Sequence, residues 1–211
     1  MKKITTLFLS MLLLVVLVNV SSAQPIKPKP KYGYAEISVE AGFANPIGAF
    51  TDHNKLGPTF GAQFGYRITR EVGLELEGAY TSFGNVDANV SKLNVLAITA
   101  GPRYYFVNQS IKSQLFLDAV VGAFIASGAD VTNTTTGVVT TGLSETNLGV
   151  GIGLGGTVQV ADNMELFLRA RYNTIFPGKD ITTTVNGVTT TVSADSKAYV
   201  GAIGGLTFFL R

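Results

Sequence analysis

The feature that most constrains this chain is a two-residue alternation of apolar and polar side chains, which returns in eight separate segments. Successive side chains of a β-strand point to opposite faces, so this period predicts strands with one apolar and one more polar face. Downstream of residue 23, no segment shows the 3.6-residue period of an amphipathic helix. The predicted strands are Tyr34–Ala44, Thr59–Ile68, Val72–Ser82, Leu93–Phe106, Gln114–Ala126, Thr146–Val160, Met164–Phe176 and Ala198–Leu210.

The connections between these segments alternate in length. Each segment has the ~9–11 residues that a tilted strand needs to cross a bilayer, and short turns at one end with long loops at the other are typical of transmembrane barrels. The sequence therefore predicts an all-β, eight-stranded, antiparallel, up-and-down transmembrane β-barrel. The short connections are Thr69–Glu71, Val107–Ser113 and Ala161–Asn163, and the long ones are Asn45–Pro58, Phe83–Lys92, Ser127–Glu145 and Pro177–Lys197.

The first 23 residues have the parts of a secretory signal peptide: the basic Met1–Lys3, an apolar run over Leu7–Val18, and small residues at Ser21–Ala23. The apolar run is shorter than the ~20 residues of a spanning helix. Residues 24–32, which contain QPIKPKPK, predict an extended periplasmic tether. Residues 33–211 are predicted to form the barrel.

The charge balance and the cysteine count limit the partners and the chemistry. Without the two lysines of the signal peptide the chain has 14 basic and 14 acidic residues, so nothing indicates nucleic-acid binding. There is no Cys, and the one His, His53, lies in the first long loop with no Ser beside it to serve as a nucleophile. We therefore expect no enzyme activity, no cofactor and no metal site. The predicted barrel is expected to be a monomer surrounded by outer-membrane lipid.

Secreted lipocalin-type barrels also have eight strands, and alternation alone does not tell which face points outward. The chain has no Trp, so the Gly-x-Trp motif of lipocalins is missing. Aromatic residues on the apolar face gather near both strand ends, as in the girdles of membrane barrels. These are Tyr34, Tyr66, Tyr104, Phe106 and Phe208 toward the short turns, and Phe43, Phe60, Tyr80 and Tyr172 toward the long loops.

The stretch LGVGIGLGGTVQV, Leu148 to Val160, matches the G-x-G-x-x-G fingerprint of dinucleotide-binding proteins. That fingerprint requires a helix after the glycines, whereas here the alternation continues to Val160 and a turn follows. The interior of an eight-stranded barrel is only just wide enough for its side chains. We therefore expect the glycines at positions 149, 151, 153 and 155 to leave room for large inward side chains, or else to permit tight strand curvature.

The polar face of the strands assigns a group of charged side chains to the lumen. The narrow bore favours a plug of mutually paired charges, and the alternative is a water-filled constriction that selects ions. Arg67 and Glu75 are expected to be cross-strand neighbours. Glu165 falls on the same face and, like Arg103 and Arg67, near the short-turn end. The predicted lumen network is Glu36, Glu40, Gln63, Arg67, Glu75, Glu77, Arg103, Asp118, Arg169 and Arg171.

Two strands contain local irregularities. Pro102 lacks an N–H group, so it predicts a bulge or a strand end within the fourth strand. In the eighth strand, counting back from Phe208 turns Ala202 outward and Tyr199 inward, but a bulge at Gly204-Gly205 would reverse that phase.

The third and fourth long loops contain the strand-forming sequences VTNTTTGVVTTG, Val131–Gly142, and ITTTVNGVTTTV, Ile181–Val192. Asn-Gly is a strong signal for a two-residue hairpin turn. We expect both loops to be hairpins that continue the barrel strands and join into one raised sheet. Its open edges would pair with a strand of a surface protein partner, or the hairpins would only shield the surface. The predicted surface hairpin is Thr184, Val185, Asn186, Gly187, Val188 and Thr189.

Several stretches resemble the small eight-stranded outer-membrane barrels of the OmpX and OmpA type. They are SVEAGFANPIGAF, FGAQFGYRITREVGLELEGAY, GPRYYF and the terminal GLTFFLR, which departs from the family by ending on Leu-Arg rather than Phe. The resemblance implies an outer-membrane protein of a Gram-negative-type cell, inserted by the barrel assembly machinery, with a periplasmic N-terminus and extracellular long loops. It implies an envelope scaffold and surface-interaction protein; the alternative is a narrow porin-like channel for small solutes or ions.

Overall fold

The computed structural model describes residues 32–52, 54–86, 92–106, 113–128, 131–132, 139–140, 144–177, 181–185, 188–192 and 196–210. Eight long strands make up most of this part of the chain. No helix among the described residues is long and apolar enough to cross a membrane. The strands are β1 (Tyr34–Ile47), β2 (Gly57–Arg67), β3 (Val72–Ser82), β4 (Leu93–Phe106), β5 (Ser113–Gly128), β6 (Ser144–Ala161), β7 (Met164–Ile175) and β8 (Lys197–Leu210).

These strands close into one antiparallel barrel in which each strand pairs with its neighbours in sequence and β1 pairs with β8. Closure joins both ends of the sheet: Ala35 lies opposite Leu210, and Ile47 opposite Ala198. Side chains alternate between a buried inner face and an exposed outer face along every strand. The predicted fold class is therefore confirmed.

The irregularities expected from sequence occur elsewhere. The prediction of a bulge or strand end at Pro102 is wrong. Strand β4 pairs with β3 through Pro102, and it pairs with β5 in the same register before and after Gly101-Pro102. The ladder to β5 is merely interrupted there, since Pro has no N–H to donate. Strand β8 pairs with both neighbours without a shift, so Tyr199 is buried and Val200 exposed. The register shift of the β6–β7 pair lies between Gln159 and Ala161.

Short two-stranded sheets form within the long connections of the barrel. A two-residue strand in the first long loop, Asn54–Lys55, pairs with Gly84–Asn85 of the second. In the third, Val131–Thr132 pairs with Val139–Thr140, and in the fourth, Ile181–Val185 pairs with Val188–Val192. A one-turn 3-10 helix over Gly48–Thr51 follows β1.

Two wall glycines provide a matched test of how closely the barrel strands approach each other. A Cβ atom on Gly101 would collide with the carbonyl oxygen of Ala119 and lie 2.8 Å from the Cα of Val120, whereas one on Gly78 would meet nothing within 4 Å. We expect Gly101→Ala to lower the free energy of unfolding by ~1–3 kcal/mol, as overpacking does. Gly78→Ala should leave it unchanged or raise it by up to ~1 kcal/mol, because Ala restricts the unfolded chain.

Denaturant unfolding of the two variants in the same detergent, beside the wild-type protein, measures both effects. Equal stability of the two variants would show that β4 and β5 are farther apart than the structure places them.

Candidate functional site

Many charged side chains of the barrel strands point into the lumen. All ten residues of the predicted network lie inside, and each exposes no more than 6% of its surface. They come from six of the eight barrel strands, so the network spans the bore rather than following one wall. Glu165, which falls on the same face near the short-turn end, is also buried.

Arg171 on β7 is the centre of the network. Its Nε donates a hydrogen bond to Asp118 Oδ1 at 2.9 Å. Its two terminal nitrogens donate to Glu77 Oε2 and Glu75 Oε1, each at 2.7 Å. Three carboxylates from two strands, β3 and β5, therefore share one guanidinium group, and each of its three nitrogens donates to one of them.

Arg169, two residues earlier on the same face of β7, links the network to β1. Its Nη2 lies 3.0 Å from Glu40 Oε2 and 2.9 Å from Glu77 Oε2, and its Nη1 lies 3.8 Å from Asp118 Oδ2. Glu77 and Asp118 are thus shared by both arginines. Because Glu40 comes from the other end of the chain, this contact ties the first strand to the seventh through the lumen.

Arg103 on β4 extends the network toward the short-turn end. It forms an ion pair with Glu75 Oε2, donates to Gln63 Oε1 at 3.0 Å, and lies 3.9 Å from Glu36 Oε1. Gln63 in turn donates to Glu75 Oε2 at 3.0 Å. The hydroxyl of Tyr105 donates to Glu36 Oε1 at 3.3 Å. Glu75 therefore joins the Arg103 group to the Arg171 group, and the charged residues form one continuous layer.

Arg67 is inside the barrel, but its predicted pairing with Glu75 is wrong. In the register of β2 and β3, Arg67 lies opposite Gly73, and Glu75 lies opposite Gly65. Arg67 instead donates to the carbonyl oxygen of Arg70 at 3.1 Å, and its guanidinium carbon lies 3.1 Å from the centre of the Tyr105 ring. It belongs to an aromatic layer at the short-turn end.

That aromatic layer closes the lumen below the charges. The rings of Tyr34 and Phe209 meet edge to face at 5.3 Å between centroids, and those of Tyr105 and Phe116 are 5.9 Å apart. The prediction that Tyr34 belongs to an outer aromatic girdle is wrong, because Tyr34 shares the inward parity of Glu36 and is buried. The other eight predicted girdle residues have exposed side chains on the outer face.

An apolar layer, which we call the cap, closes the lumen at the long-loop end. Phe50, from the 3-10 helix after β1, meets Phe83 at 5.1 Å between ring centroids, and Phe83 meets Tyr199 at 5.4 Å. Sequence analysis did not identify this layer. Phe83 follows the inward-facing positions of β3, so the alternation could have identified it. Phe50 lies outside the strands, so no alternation points to it. The buried cap residues are Ala44, Phe50, Phe83, Val95, Ala97, Phe124, Ala126, Ile175 and Tyr199.

The glycines of β6 lie close to inward side chains of β5, which agrees with the first of the two explanations drawn from the sequence. A Cβ atom on Gly149 would lie 2.6 Å from the Phe124 ring, and one on Gly153 would lie 2.6 Å from Asp118 Oδ1. On Gly155 it would collide with the ring of Phe116. The whole glycine run is strand, with no helix after it, so it does not form the dinucleotide-binding fingerprint.

Two cavities that the described residues line inside the lumen are small. A cavity of about 20 Å³ lies between the charged layer and the cap, lined by Glu77, Thr99, Arg171 and Tyr199 among others. The pocket around Glu36, Arg67, Glu75 and Arg103 has no volume for a water molecule. A water molecule needs at least ~10–15 Å³ by this measure. The upper cavity therefore has room for about one water molecule.

The surface hairpin is the second candidate site. Its two strands pair Thr184 with Thr189 and Val185 with Val188, while Asn186 and Gly187 lie outside the described residues. In the described part of the chain it is a separate two-stranded sheet, unconnected by pairing to β7, β8 or the hairpin of the third loop. The segments that would connect it to β7, β8 and the third-loop hairpin include residues 178–180, 193–195, 129–130 and 141–143, which lie outside the described residues, so the continuation of the barrel strands and the single joined sheet stay predictions. His53, the signal peptide and the tether also lie outside the described residues.

The closed wall, the apolar outer face and the charged interior define a membrane-spanning β-barrel, since only a closed sheet satisfies its backbone in lipid. The profile of the family described as outer membrane protein beta-barrel domain matches residues 10–196. The chain belongs to this family, which places it in an outer membrane.

Two solved structures illustrate what the chain is similar to. Neisserial surface protein A (NspA) is similar with a TM-score of 0.59 and 21% identity, covering 82% of this chain and 96% of NspA. Ail, the attachment invasion locus protein of Yersinia pestis, has a TM-score of 0.46 and 16% identity, covering 83% of this chain and 99% of Ail. No curated protein sequence matches the chain. At 21% identity the likeness to NspA shows the fold alone.

Proposed function

We propose that the protein is a non-enzymatic outer-membrane scaffold with a closed lumen, whose extracellular loops bind a surface partner. The observation that carries the first part is the filling of the bore at three successive levels by the cap, the charged layer and the aromatic layer. A hydrated ion must pass all three. The intervening space of about 20 Å³ is too small for an ion with its water shell.

The charged layer is a better plug than a selectivity filter. A filter must bind an ion weakly enough to release it and must leave space for it. Here each of the guanidinium groups of Arg103, Arg169 and Arg171 is paired with a neighbouring carboxylate. An ion that entered this layer would disturb these buried ion pairs, and breaking one has a high energetic cost.

Single-channel recording in planar bilayers tests the closed lumen. We expect no steady conductance from the wild-type protein, and none from the double variant Phe50→Ala/Phe83→Ala, because opening the cap leaves the charged layer in place. A steady wild-type conductance would contradict the proposal and favour the alternative, a narrow channel for small solutes or ions.

The membrane orientation that we propose places the tether and the short turns in the periplasm and the long loops outside. The outward aromatic residues at two levels support a bilayer position between them, with Tyr66 near the short turns and Tyr80 near the long loops as examples. Insertion by the barrel assembly machinery is part of this proposal. An epitope placed between Asn186 and Gly187 should be accessible to antibody on intact cells, and one placed in the tether should not.

The fourth loop supports the surface role because it is a formed hairpin rather than an irregular connection. Deleting residues 183–190 should leave a folded barrel, seen as different gel mobility before and after boiling. The deletion should abolish binding of the cells to whatever surface the intact protein attaches to. Equal attachment of the two forms would exclude this hairpin as the binding element.

A further inference from the structure

The hairpin of the fourth loop pairs like residues with like across its two strands. Three Thr–Thr pairs occupy the middle, namely 182 with 191, 183 with 190 and 184 with 189. Aliphatic pairs flank them, Ile181 with Val192 and Val185 with Val188. Thr–Thr and β-branched pairs stabilise antiparallel strands, so this composition is suited to pairing with itself.

The second strand of this hairpin, Val188–Val192, has the sequence Val-Thr-Thr-Thr-Val, which reads the same in both directions about Thr190. An antiparallel copy of a palindromic strand presents the same residue at every position. Centred on Thr190, such a pair would match Thr190 with Thr190, Thr189 with Thr191, and Val188 with Val192. These pairs repeat the residue types that the hairpin already pairs internally.

The backbone of this strand is also available for pairing. The hairpin is a two-stranded sheet, and within the described residues neither strand has a second neighbour. Natural edge strands are commonly protected by Lys, by Pro or by a bulge. Residues 181–192 contain no charged residue and no Pro. Nothing in the sequence of this edge therefore opposes the addition of another strand.

We propose that the partner of this surface is a second copy of the same chain, bound by antiparallel pairing of the two Val188–Val192 strands about a two-fold axis through Thr190. This inference rests on the proposed surface-interaction function and names its partner. A two-fold contact uses the same surface on both copies and needs no other protein.

The antiparallel direction selects contacts between facing membranes. Strand Val188–Val192 leads the chain back to the barrel at Lys197. The proposal takes each hairpin to stand along the barrel axis, and two such hairpins in one membrane would present these strands in the same direction. Hairpins from opposed membranes present them in opposite directions, as the palindromic register requires. The contact therefore joins two vesicles or two cells, and many weak pairs act together because each membrane carries many copies.

Vesicle clustering tests the proposal through the residue on the two-fold axis. Thr190→Lys places two like charges opposite each other, and so does Thr190→Glu, but a mixture of the two variants places opposite charges together. We expect wild-type proteoliposomes to cluster, and each variant alone to cluster at least ~10-fold more slowly. A mixture of Thr190→Lys and Thr190→Glu vesicles should cluster again.

The matched control places the same charges on the first hairpin strand, at Thr183, which pairs with Thr190 inside the hairpin but lies one strand farther from the proposed axis. Thr183→Lys vesicles should cluster faster than Thr190→Lys vesicles. Heat-modifiable gel mobility establishes that all variants contain folded barrels. If wild-type vesicles cluster but the mixed variants do not recover, self-pairing through this strand is wrong. If wild-type vesicles do not cluster while intact cells still lose attachment on deletion of residues 183–190, the surface function holds and the second copy is not its partner.

Discussion

Replacing Arg171 by Met is expected to lower the free energy of unfolding by ~3–5 kcal/mol, the usual cost of removing one partner from a buried ion pair. Met retains much of the packing volume but none of the five N–H donors. Glu75, Glu77 and Asp118 then lose hydrogen bonds of 2.7, 2.7 and 2.9 Å while they stay buried. The loss therefore comes from uncompensated carboxylates rather than from a cavity.

The matched control is Lys197→Met, which removes a partly exposed pair with Glu145 at 3.3 Å. Surface pairs of this kind contribute at most ~1 kcal/mol, so this variant should unfold close to wild type. Adding Asp118→Asn to Arg171→Met should restore part of the stability, because one unpaired charge is removed. Denaturant unfolding in lipid vesicles measures all four proteins. Equal losses at positions 171 and 197 would contradict a desolvated network.

The strands could be predicted from sequence because one face of each must contact lipid. That requirement imposes a strict two-residue period, so the predicted Thr59–Ile68 and the observed Gly57–Arg67 differ by only one or two residues at each end. The same parity places Arg169 and Arg171 inward together. Facing lipid is a local condition that each residue satisfies alone, and for that reason the sequence pattern contains it.

The pairing of the lumen charges could not be predicted in the same way. Parity tells which way a side chain points, but the register between strands and the reach of each side chain decide which groups meet. The expected pair of Arg67 and Glu75 does not form, because the turn between β2 and β3 places Gly73 opposite Arg67. Glu40 meets Arg169 across 129 positions of sequence, and no local pattern relates the two residues.

The surface hairpin depends on local signals, which a sequence does contain. Its Thr- and Val-rich strands and its Asn-Gly turn are local signals, and the two strands do pair as expected. Continuation of the hairpin from β7 and β8 would run through residues 178–180 and 193–195, which lie outside the described residues. That continuation therefore stays a prediction.

Exchanging the side chains of one cross-strand pair in the lumen should reveal why β6 is rich in glycine. Gly153 lies opposite Asp118 on one side and opposite Arg171 on the other. Gly153→Asp alone places a second carboxylate where even a Cβ atom would be 2.6 Å from Asp118 Oδ1. Overpacking and like-charge repulsion then act together, and we expect a loss of more than ~3 kcal/mol. Asp118→Gly alone should also destabilise, because Arg171 loses the acceptor of its Nε.

The double variant Gly153→Asp/Asp118→Gly moves the carboxylate from β5 to β6 and keeps the charge and volume of the lumen. The moved carboxylate stays beside Arg171, its new cross-strand neighbour, so the double variant should recover at least half of the loss caused by Gly153→Asp. Unfolding of the four proteins in one denaturant series gives the coupling between the two sites. If the two losses simply add, the glycine at position 153 is required by strand curvature and not by the space that Asp118 occupies.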